Sequence, residues 1–204
     1  MGIWANHVAP RILDKACART DLIELRRRVL SGVHGDVLDV GFGSGHNLGH
    51  YPAGVQRVMA VEPSLLARRL AAERIAASSI RVDFVELDDE RLVLPDDCVD
   101  VGVTTFTLCS IPDVVGALRQ VARVLRPGGE LRFVEHGLSP DHQVAAWQHR
   151  LTPLQTRVFG GCHFDRPIGD IIEAASFELV ELTNFYLPGP KPPSYIYEGT
   201  ARRT

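Results

Sequence analysis

The chain has 204 residues, of which 45% are hydrophobic, and its formal net charge is −3. This length and composition suit one domain with a sizeable hydrophobic core. The small negative charge argues against binding to a nucleic-acid backbone, so we expect no nucleic-acid partner.

The predicted elements begin with helices and then alternate with strands. Residues 8–30 carry apolar side chains at helical spacing among many charges, which predicts one or two amphipathic helices that would cover a site. Residues 36–40 form a predicted strand that ends at the glycine-rich "GFGSG". A second strand is predicted over residues 56–61, and Ser64 is the predicted N-cap of the helix that follows it.

The alternation continues through the middle of the chain. Strands are predicted over residues 81–87 and 99–108, and a helix from about residue 112 to 125. The "RPGG" at residues 126–129 ends this helix, and residues 130–136 form the next strand. The pattern indicates an α/β fold, a doubly wound, Rossmann-like, mostly parallel sheet with helices on both faces. Its ligand site should lie at the carboxyl ends of the strands.

The last third of the chain is less regular. Helices are predicted near residues 141–158 and 168–176, and two strands, "FELVELTNF" and residues 195–202, flank the proline-rich "LPGPKPP". These strands are predicted to form an antiparallel hairpin that closes one edge of the sheet. We expect a single domain with three parts: a helical cover (1–34), a cofactor-binding half (35–136) and an acceptor-side half (137–204).

Four cysteines occur at positions 17, 98, 109 and 162, without a paired metal-ligand pattern, so we predict no metal site. A chain of this length folds without disulfides, which favours a reducing, cytoplasmic location. No segment approaches the roughly 18 apolar residues of a membrane span, and the N-terminus lacks a signal-peptide pattern. We therefore expect no membrane span, while peripheral contact with a membrane surface stays open.

The stretch "DVLDVGFGSGHN", residues 36–47, is built like a dinucleotide-binding loop that lacks one glycine. The third glycine of that fingerprint follows the second by three residues, a position that His46 holds here, whereas Gly45 comes one place early. Closely spaced glycines let the backbone approach a ligand, although a turn with positive φ would explain them as well. The acidic Glu62 favours a ligand, since a carboxylate about 20 residues after such a loop accepts ribose hydroxyls.

Four motifs in order, "VLDVGFGSG", "VMAVEPS", "ELDDERLVLPDDCVDVGVTTFTL" and "VARVLRPGGELRFVEHG", resemble the class I S-adenosylmethionine-dependent methyltransferases, particularly the branch around ubiquinone and menaquinone biosynthesis. The combination "TLCS", "LRPGGELRFVEH", a tryptophan and "GC" is also similar to the small-molecule alkyl-thiol methyltransferases of animals, without their N-terminal membrane segment. The first resemblance covers residues 35–135, and the second extends loosely to Cys162. The resemblance to the class I methyltransferases implies S-adenosylmethionine as the cofactor.

The resemblance also implies roles for individual residues. Asp39, Gly41, Gly43 and Gly45 would surround the methionine part of the cofactor, with Asp39 favouring its ammonium group. The remaining cofactor residues would be Glu62 on the ribose hydroxyls, Pro63 beside the adenine, Asp88 on the adenine amino group, Asp89 with its N–H toward the adjacent ring nitrogen, and Thr105. Phe106 would line the path from methyl donor to acceptor.

Structural roles compete with several of these assignments. Asp88 belongs to the acidic run "DDE", which is typical of a solvated loop. Glu62 also suits the N-terminus of the following helix because of the helix dipole. An apolar residue such as Phe106 at the end of a central strand is typical of core packing.

The acceptor side has fewer recognisable residues. His136, at the end of the fifth strand, is the best-placed candidate for a catalytic base and for a pocket wall, with a structural histidine as the alternative. Trp147 and His163 are further candidates for binding the acceptor, although a helical core would explain Trp147. A metal at His163 is a weak alternative, since adjacent ligands do not easily reach one ion. A base is needed only for an acceptor that arrives protonated.

The predicted function is that of an S-adenosylmethionine-dependent methyltransferase acting on a small, fairly apolar acceptor: a thiol, a quinone-type ring or a related metabolite. Two alternatives stay open. One is a nicotinamide-dependent oxidoreductase, against which the missing third glycine and the "RPGG" turn argue. The other is a non-catalytic cofactor-binding domain. The oligomeric state is left open.

Overall fold

A computed structural model describes residues 9–89, 91–158 and 161–204. Two helices come first, α1 (Ala9–Cys17) and α2 (Thr20–Leu30), which confirms the predicted helical segment. Residue 8 of this predicted segment (8–30) and residues 1–8 of the expected helical cover (1–34) lie outside the described residues. No helix within these described ranges combines the length and apolar character required to cross a membrane.

The remaining elements follow in the predicted alternation. The strands are β1 (Gly35–Val40), β2 (Val55–Val61), β3 (Arg81–Phe84), β4 (Leu87–Asp88), β5 (Arg91–Leu92), β6 (Val99–Thr105), β7 (Leu125–His136), β8 (Phe177–Tyr186) and β9 (Tyr195–Arg203). The helices are α3 (Leu65–Ala77), α4 (Val114–Val124), α5 (His142–Val158) and α6 (Ile168–Glu173). The Ser64 hydroxyl accepts a hydrogen bond from the Ala67 N–H, so the predicted cap of α3 is confirmed.

Seven strands form one sheet in the order β3-β2-β1-β6-β7-β9-β8. The five strands from β3 to β7 in this order are parallel, and β9 runs antiparallel to both β7 and β8. This arrangement confirms the doubly wound sheet and its C-terminal antiparallel hairpin. The order of the strands reverses between β1 and β6, which is where such sheets form a ligand-binding crevice.

The hydrophobic core lies on both faces of the sheet. Alternate residues of β1 point to opposite faces, so Val37 packs in a cluster with Leu30 of α2, whereas Leu38 packs in a cluster with Leu118 of α4. Because β1 is covered on both sides, the last four of its six residues are all buried. The strand therefore does not show the alternation of buried and exposed residues that a half-exposed strand has. The two clusters thus hold the sheet, and the crevice at its carboxyl edge, between two layers of helices.

Three predicted elements end earlier than expected. The third strand ends at Phe84, because the buried Val85 closes the pairing with β2 and the chain then turns into the small β4–β5 hairpin. The strand β6 ends at Thr105, since Phe106 has a φ of +56°, which a strand does not accommodate. The helix α6 ends at Glu173 rather than near Ser176, whose φ is +67°.

The "RPGG" segment also differs from the prediction. It follows the end of α4 but belongs to β7, which begins at Leu125. The pairing of β6 with β7 shifts in register here, from Val99 opposite Leu125 to Val101 opposite Glu130. The segment therefore forms an irregularity at the start of the strand, with Gly128 at a φ of +78°.

Candidate functional site

The glycine loop joins the carboxyl ends of β1 and β2. Gly41 and Phe42 donate their backbone N–H groups to the Val61 carbonyl at 2.9 and 3.1 Å. Gly41 has a φ of +75°, and a Cβ atom at this position would overlap the side chain of Thr107. Only glycine fits both conditions, so the loop lies directly against the segment that follows β6.

Glu62 is held at the loop by two backbone hydrogen bonds. Its Oε2 accepts from the Gly43 N–H at 2.8 Å and its Oε1 from the Ser64 N–H at 2.7 Å. The side chain is only 9% exposed, and burial raises its pKa although both N–H groups oppose the shift. Each carboxylate oxygen retains a lone pair for a further donor such as a hydroxyl. Pro63, the next residue, is exposed.

Asp39 belongs to a buried network within the protein. Asn47 donates to its two carboxylate oxygens at 3.2 and 3.0 Å, and the Tyr51 hydroxyl donates to it at 2.8 Å. Burial raises the pKa of Asp39 to about 6 despite these donors. Asn47 also donates to the Thr105 hydroxyl at 3.2 Å, so this network joins β1, the loop and β6. That Asp39 interacts directly with the ammonium group of a ligand stays a prediction.

Arg26 of α2 is a buried cation that the sequence reasoning missed. It is only 2% exposed, its Nη1 donates to the Cys17 carbonyl at 2.9 Å, and its Nε is buried without a hydrogen-bond partner. Its guanidinium carbon lies 5.9 Å from the centre of the Phe106 ring. Among the described residues no carboxylate lies within ion-pair distance of it. A buried charge in this state is unfavourable unless an anionic ligand completes it.

A sequence signal for Arg26 exists in hindsight. The helix α2 contains three consecutive arginines, and the period of 3.6 residues places only Arg26 on the same face as Leu22 and Leu30. Arg27 and Arg28 lie on more exposed parts of the helix. A charged residue on the apolar face of a helix is therefore the feature that could have marked it.

The helix α1 is bound directly to the glycine loop through Asp14. The Ser44 hydroxyl donates to its carboxylate at 2.6 Å, and His46 Nε2 and Arg74 Nη1 lie 3.0 and 3.1 Å from the same oxygen. Burial raises the pKa of Asp14, but the Ser44 hydrogen bond and the Arg74 charge outweigh it, and the pKa lies below its usual value. His46, the residue in place of the third glycine, thus holds α1 over the loop.

His136 and Phe106 meet at the carboxyl ends of β7 and β6. Their ring centres lie 4.9 Å apart with a 44° angle between the planes. His136 Nδ1 is buried without a hydrogen-bond partner, and burial lowers the pKa of His136 to about 4. The ring is therefore neutral at pH 7 and accepts a proton only weakly. This geometry brings two of the predicted acceptor-side residues together.

Glu135 points to the opposite face of β7 from His136 and holds the segment after β6. Its Oε1 accepts a hydrogen bond from the Thr107 N–H at 3.0 Å, and its Oε2 is buried without a partner. Burial raises the pKa of Glu135 to about 7, although backbone N–H groups of residues 107–109 oppose the shift. The carboxylate thus positions the segment in which Phe106 has its left-handed backbone conformation.

Asp88 and Asp89 lie in the β4–β5 hairpin, not directly at the end of β3. Asp88 pairs with Arg91, is exposed, and borders a cavity of about 390 Å³ that is also lined by residues 91–95. Asp89 has a φ of +44° at the turn. The assignment of these two residues to an adenine ring stays a prediction.

The side chain of Trp147 is exposed and that of His163 is half-exposed. Trp147 is 54% exposed and stacks against the Arg150 guanidinium at 5.7 Å, so the alternative of a helical core residue is wrong. His163 donates its backbone N–H to the Cys109 carbonyl at 2.8 Å, while its half-exposed side chain lies 3.9 Å from Asp165. Their roles toward the acceptor stay predictions.

The residues at this edge fit an adenosine-containing sulfonium cofactor with an amino-acid tail. At Gly43 of the glycine loop an added Cβ would have only the Gly41 carbonyl near it, at 3.8 Å, so a ligand can approach the backbone there. The Glu62 carboxylate retains acceptor capacity for ribose hydroxyls. The buried Arg26 has no ion-pair partner within the described part of the chain, and a carboxylate tail would provide one. Each of these three features matches a different chemical group of the same ligand.

Comparisons with known proteins agree with this site. The family model described as "Methyltransferase domain" matches residues 38–133. The human thiol S-methyltransferase TMT1A is 34% identical over 169 residues, which cover 74% of this chain and 64% of that protein. The chain thus spans less than two thirds of the length of this relative.

Two further similarities extend over a larger share of the matched protein's length. The phosphatidylethanolamine N-methyltransferase of Cereibacter sphaeroides is 30% identical over 164 residues, with 78% of this chain and 79% of that protein covered. The solved structure of a SAM-dependent methyltransferase from Aquifex aeolicus superimposes with a TM-score of 0.66 at 19% identity, over 96% of this chain and 98% of that chain. At this identity the superposition concerns the fold.

Proposed function

The chain belongs to the class I S-adenosylmethionine-dependent methyltransferases, and we propose that it transfers the methyl group of this cofactor to a small, fairly apolar acceptor, in the first place a thiol. The similarity to a thiol S-methyltransferase supports the choice of acceptor. The family match offers no support for the nicotinamide-dependent alternative. We also propose a cytoplasmic location, because the free cysteines of the described chain suit a reducing compartment.

The observation that carries this proposal is the buried guanidinium of Arg26, whose Nε has no hydrogen-bond partner and which has no carboxylate within ion-pair distance among the described residues. A buried arginine without a carboxylate partner is unfavourable in the ligand-free protein. The carboxylate of the cofactor's amino-acid portion would remove this penalty. The glycine loop and Glu62 would hold the rest of the cofactor, so the chain would bind both of its ends.

Bound S-adenosylmethionine supplies a methyl group on a positively charged sulfur, which needs no further activation. The chain then has to align the acceptor and exclude water, and such alignment supplies up to ~7–11 kcal/mol in favourable systems. The neighbouring rings of Phe106 and His136 provide an apolar wall for this purpose. The helix α1, bound to the loop through Asp14, would cover the site.

The electrostatics of the acceptor side favour a thiol over a phenol. His136, with a pKa of about 4, is a weak proton acceptor, whereas a thiol with a pKa of ~8.5 is partly ionised at neutral pH without a base. The positive charge of Arg19 acts on His136 and would stabilise a thiolate beside this ring. A phenol would need a stronger base.

The cofactor assignment is tested by exchanging Arg26 for methionine. Calorimetry should show that Arg26→Met weakens the binding of S-adenosylhomocysteine by at least about tenfold, or ~1.4 kcal/mol, because the ligand's carboxylate loses its partner. The affinity for 5′-methylthioadenosine, which lacks the amino-acid portion, should change less than about twofold. Arg27→Met, on the exposed side of the same helix, is the matched control. Equal losses for both ligands would remove Arg26 from the site.

The activity is tested with an acceptor panel and S-adenosylhomocysteine release as the readout. Alkyl thiols should be the fastest acceptors, followed by phenols, a demethylated quinone precursor and a phospholipid amine. Cofactor binding without release for any acceptor would indicate a non-catalytic cofactor-binding domain. Release with the phospholipid amine alone would overturn the thiol assignment.

A lipid amine is the second candidate acceptor, because α5 has an exposed apolar and basic surface. Trp147, Leu151 and Leu154 are exposed, Arg150 and Arg157 lie among them, and the helix contains no acidic residue. This composition is typical of helices that lie on anionic membranes. It supports peripheral contact with a membrane surface, which the sequence left open.

The membrane contact is tested by cosedimentation with vesicles. The chain should bind vesicles that contain phosphatidylglycerol more strongly than pure phosphatidylcholine, and Trp147→Ser with Leu154→Ser should reduce this binding severalfold. Exchange of the exposed Val180 and Leu182 on β8 for serine is the control for general loss of surface hydrophobicity. Equal effects of both pairs would contradict a specific role of α5.

A further inference from the structure

Cys109 and Cys162 form a pair of thiols that the proposed methyl transfer does not use. Their sulfur atoms lie 3.3 Å apart, and neither is in a disulfide. Cys109 lies in the segment after β6 and is 1% exposed, while Cys162 lies after α5 and is 9% exposed. Their contact thus joins two segments that are 53 residues apart in the chain.

The two segments are held together without the help of the sulfur atoms. The His163 N–H donates to the Cys109 carbonyl at 2.8 Å, and Arg166 Nη1 donates to the carbonyl of Ile111 at 2.7 Å and to that of Leu108. A disulfide requires a sulfur–sulfur distance of about 2.05 Å. These backbone contacts hold the two segments face to face, so the sulfur atoms have to approach by only about 1.25 Å (3.3 minus 2.05 Å) to form a disulfide.

We propose that Cys109 and Cys162 form a redox-active dithiol that reduces small-molecule disulfides by thiol–disulfide exchange. The Cys162 sulfur attacks one sulfur of the disulfide RSSR, the S–S bond breaks, and the first RS⁻ leaves and takes up a proton. Cys109 then loses its proton and attacks the Cys162 sulfur, which releases the second RS⁻. The chain is oxidised by two electrons, and one RSSR becomes two RSH.

The environments of the two thiols assign the order of attack. The hydrogen bond between the two thiols lowers the pKa of Cys162, and the Arg166 charge acts in the same direction. The pairing and burial raise the pKa of Cys109 well above its usual value. Cys162 is also the more exposed thiol, so it is the nucleophile, and Cys109 resolves the mixed disulfide.

Oxidation of the pair would act on the proposed acceptor site. The Cys109 sulfur lies 3.7 Å from the Phe106 carbonyl, so a disulfide would join the segment that carries Phe106 to the segment after α5. The released thiols also belong to the acceptor class proposed above. This consequence rests on the proposed function, whereas the exchange reaction itself does not.

The exchange is tested on the full chain, reduced, desalted and incubated with hydroxyethyl disulfide. After alkylation, peptide mapping should show a Cys109–Cys162 crosslink as the main product, with two equivalents of mercaptoethanol per crosslink. Cys17 and Cys98 serve as internal controls and should form mixed disulfides at most. Absence of the crosslink while Cys17 or Cys98 reacts would overturn the proposal.

Two variants test the assigned order. Cys109→Ala should stop at a stable mixed disulfide on Cys162, whereas Cys162→Ala should leave Cys109 unreacted. A mixed disulfide on Cys109 in the second variant, with none on Cys162 in the first, would overturn the assignment. As a control for folding, the circular dichroism spectra of both variants should match that of the wild type.

A third measurement separates this inference from the proposed function. Methyl transfer to an alkyl thiol should fall at least fivefold in the crosslinked protein and recover with dithiothreitol. Crosslinking without any methyl transfer would support the dithiol and contradict the methyltransferase activity. Methyl transfer without crosslinking would do the reverse.

Discussion

The carboxyl edge of the sheet has two halves, one around β1 and β2 and one around β6 and β7, and they are built from different kinds of contact. In the β1–β2 half, backbone groups define the site: Gly41 donates its N–H to Val61 of β2, and the Glu62 carboxylate accepts from the backbone N–H groups of Gly43 and Ser64. In the β6–β7 half, side chains join distant segments, as Glu135 does with Thr107. The β1–β2 half thus depends on local backbone conformation, whereas the β6–β7 half depends on which side chains meet across the sheet.

The contact between the two halves is tested most strongly at Gly41. Gly41→Ala should lower the free energy of unfolding by about 3 kcal/mol, because a positive φ and an overlap with Thr107 add together. Gly128→Ala is the matched control, since its φ is also positive but no atom lies within 4 Å of its added Cβ. This control should cost about 1 kcal/mol in urea unfolding. Equal losses would show that the halves are not packed against each other at Gly41.

A second prediction concerns Glu135, the buried carboxylate on β7. The pKa of Glu135 is raised from 4.5 to about 7 in the folded chain, so the folded state binds more protons than the unfolded state between these pH values. The free energy of unfolding should therefore fall as pH rises through this window. The loss is complete above about pH 7 and amounts to about 3 kcal/mol.

Glu135→Gln removes this titration and retains an oxygen that accepts from Thr107. The variant should gain stability over the wild type as pH rises from 5 to 8, by up to about 3 kcal/mol in urea unfolding. Glu130→Gln on the same strand is the control for the chemical change. Parallel stability curves for wild type and Glu135→Gln would contradict the prediction.

The smallest effect is expected at the cover of the β1–β2 half. Asp14→Asn removes the charge that pairs with Arg74, and part-exposed ion pairs contribute about 0.2–1 kcal/mol. S-adenosylhomocysteine should therefore dissociate about twofold to fivefold faster in stopped-flow measurements. Asp21→Asn, which breaks an ion pair within the segment around α2, is the control. An unchanged dissociation rate would show that α1 does not retain the cofactor.

The β1–β2 half was predictable from the sequence because its contacts are local. The glycine spacing, the Ser64 cap and the alternation of strands and helices each depend on residues within one turn or strand. The errors occurred at strand ends, where non-local packing decides. Val85 leaves the edge strand to enter the core, and Phe106 takes a left-handed conformation against Glu135 and His136.

The sequence by itself determined the family, the doubly wound sheet and the position of the glycine loop, because backbone conformation and strand periodicity depend on neighbouring residues. Only the tertiary structure decided which distant faces meet. It placed Arg26 beside the Phe106 ring, bound Asp14 to His46, and brought Cys109 to 3.3 Å from Cys162. These contacts depend on how packed layers orient separate elements, and no local pattern along the chain encodes that orientation.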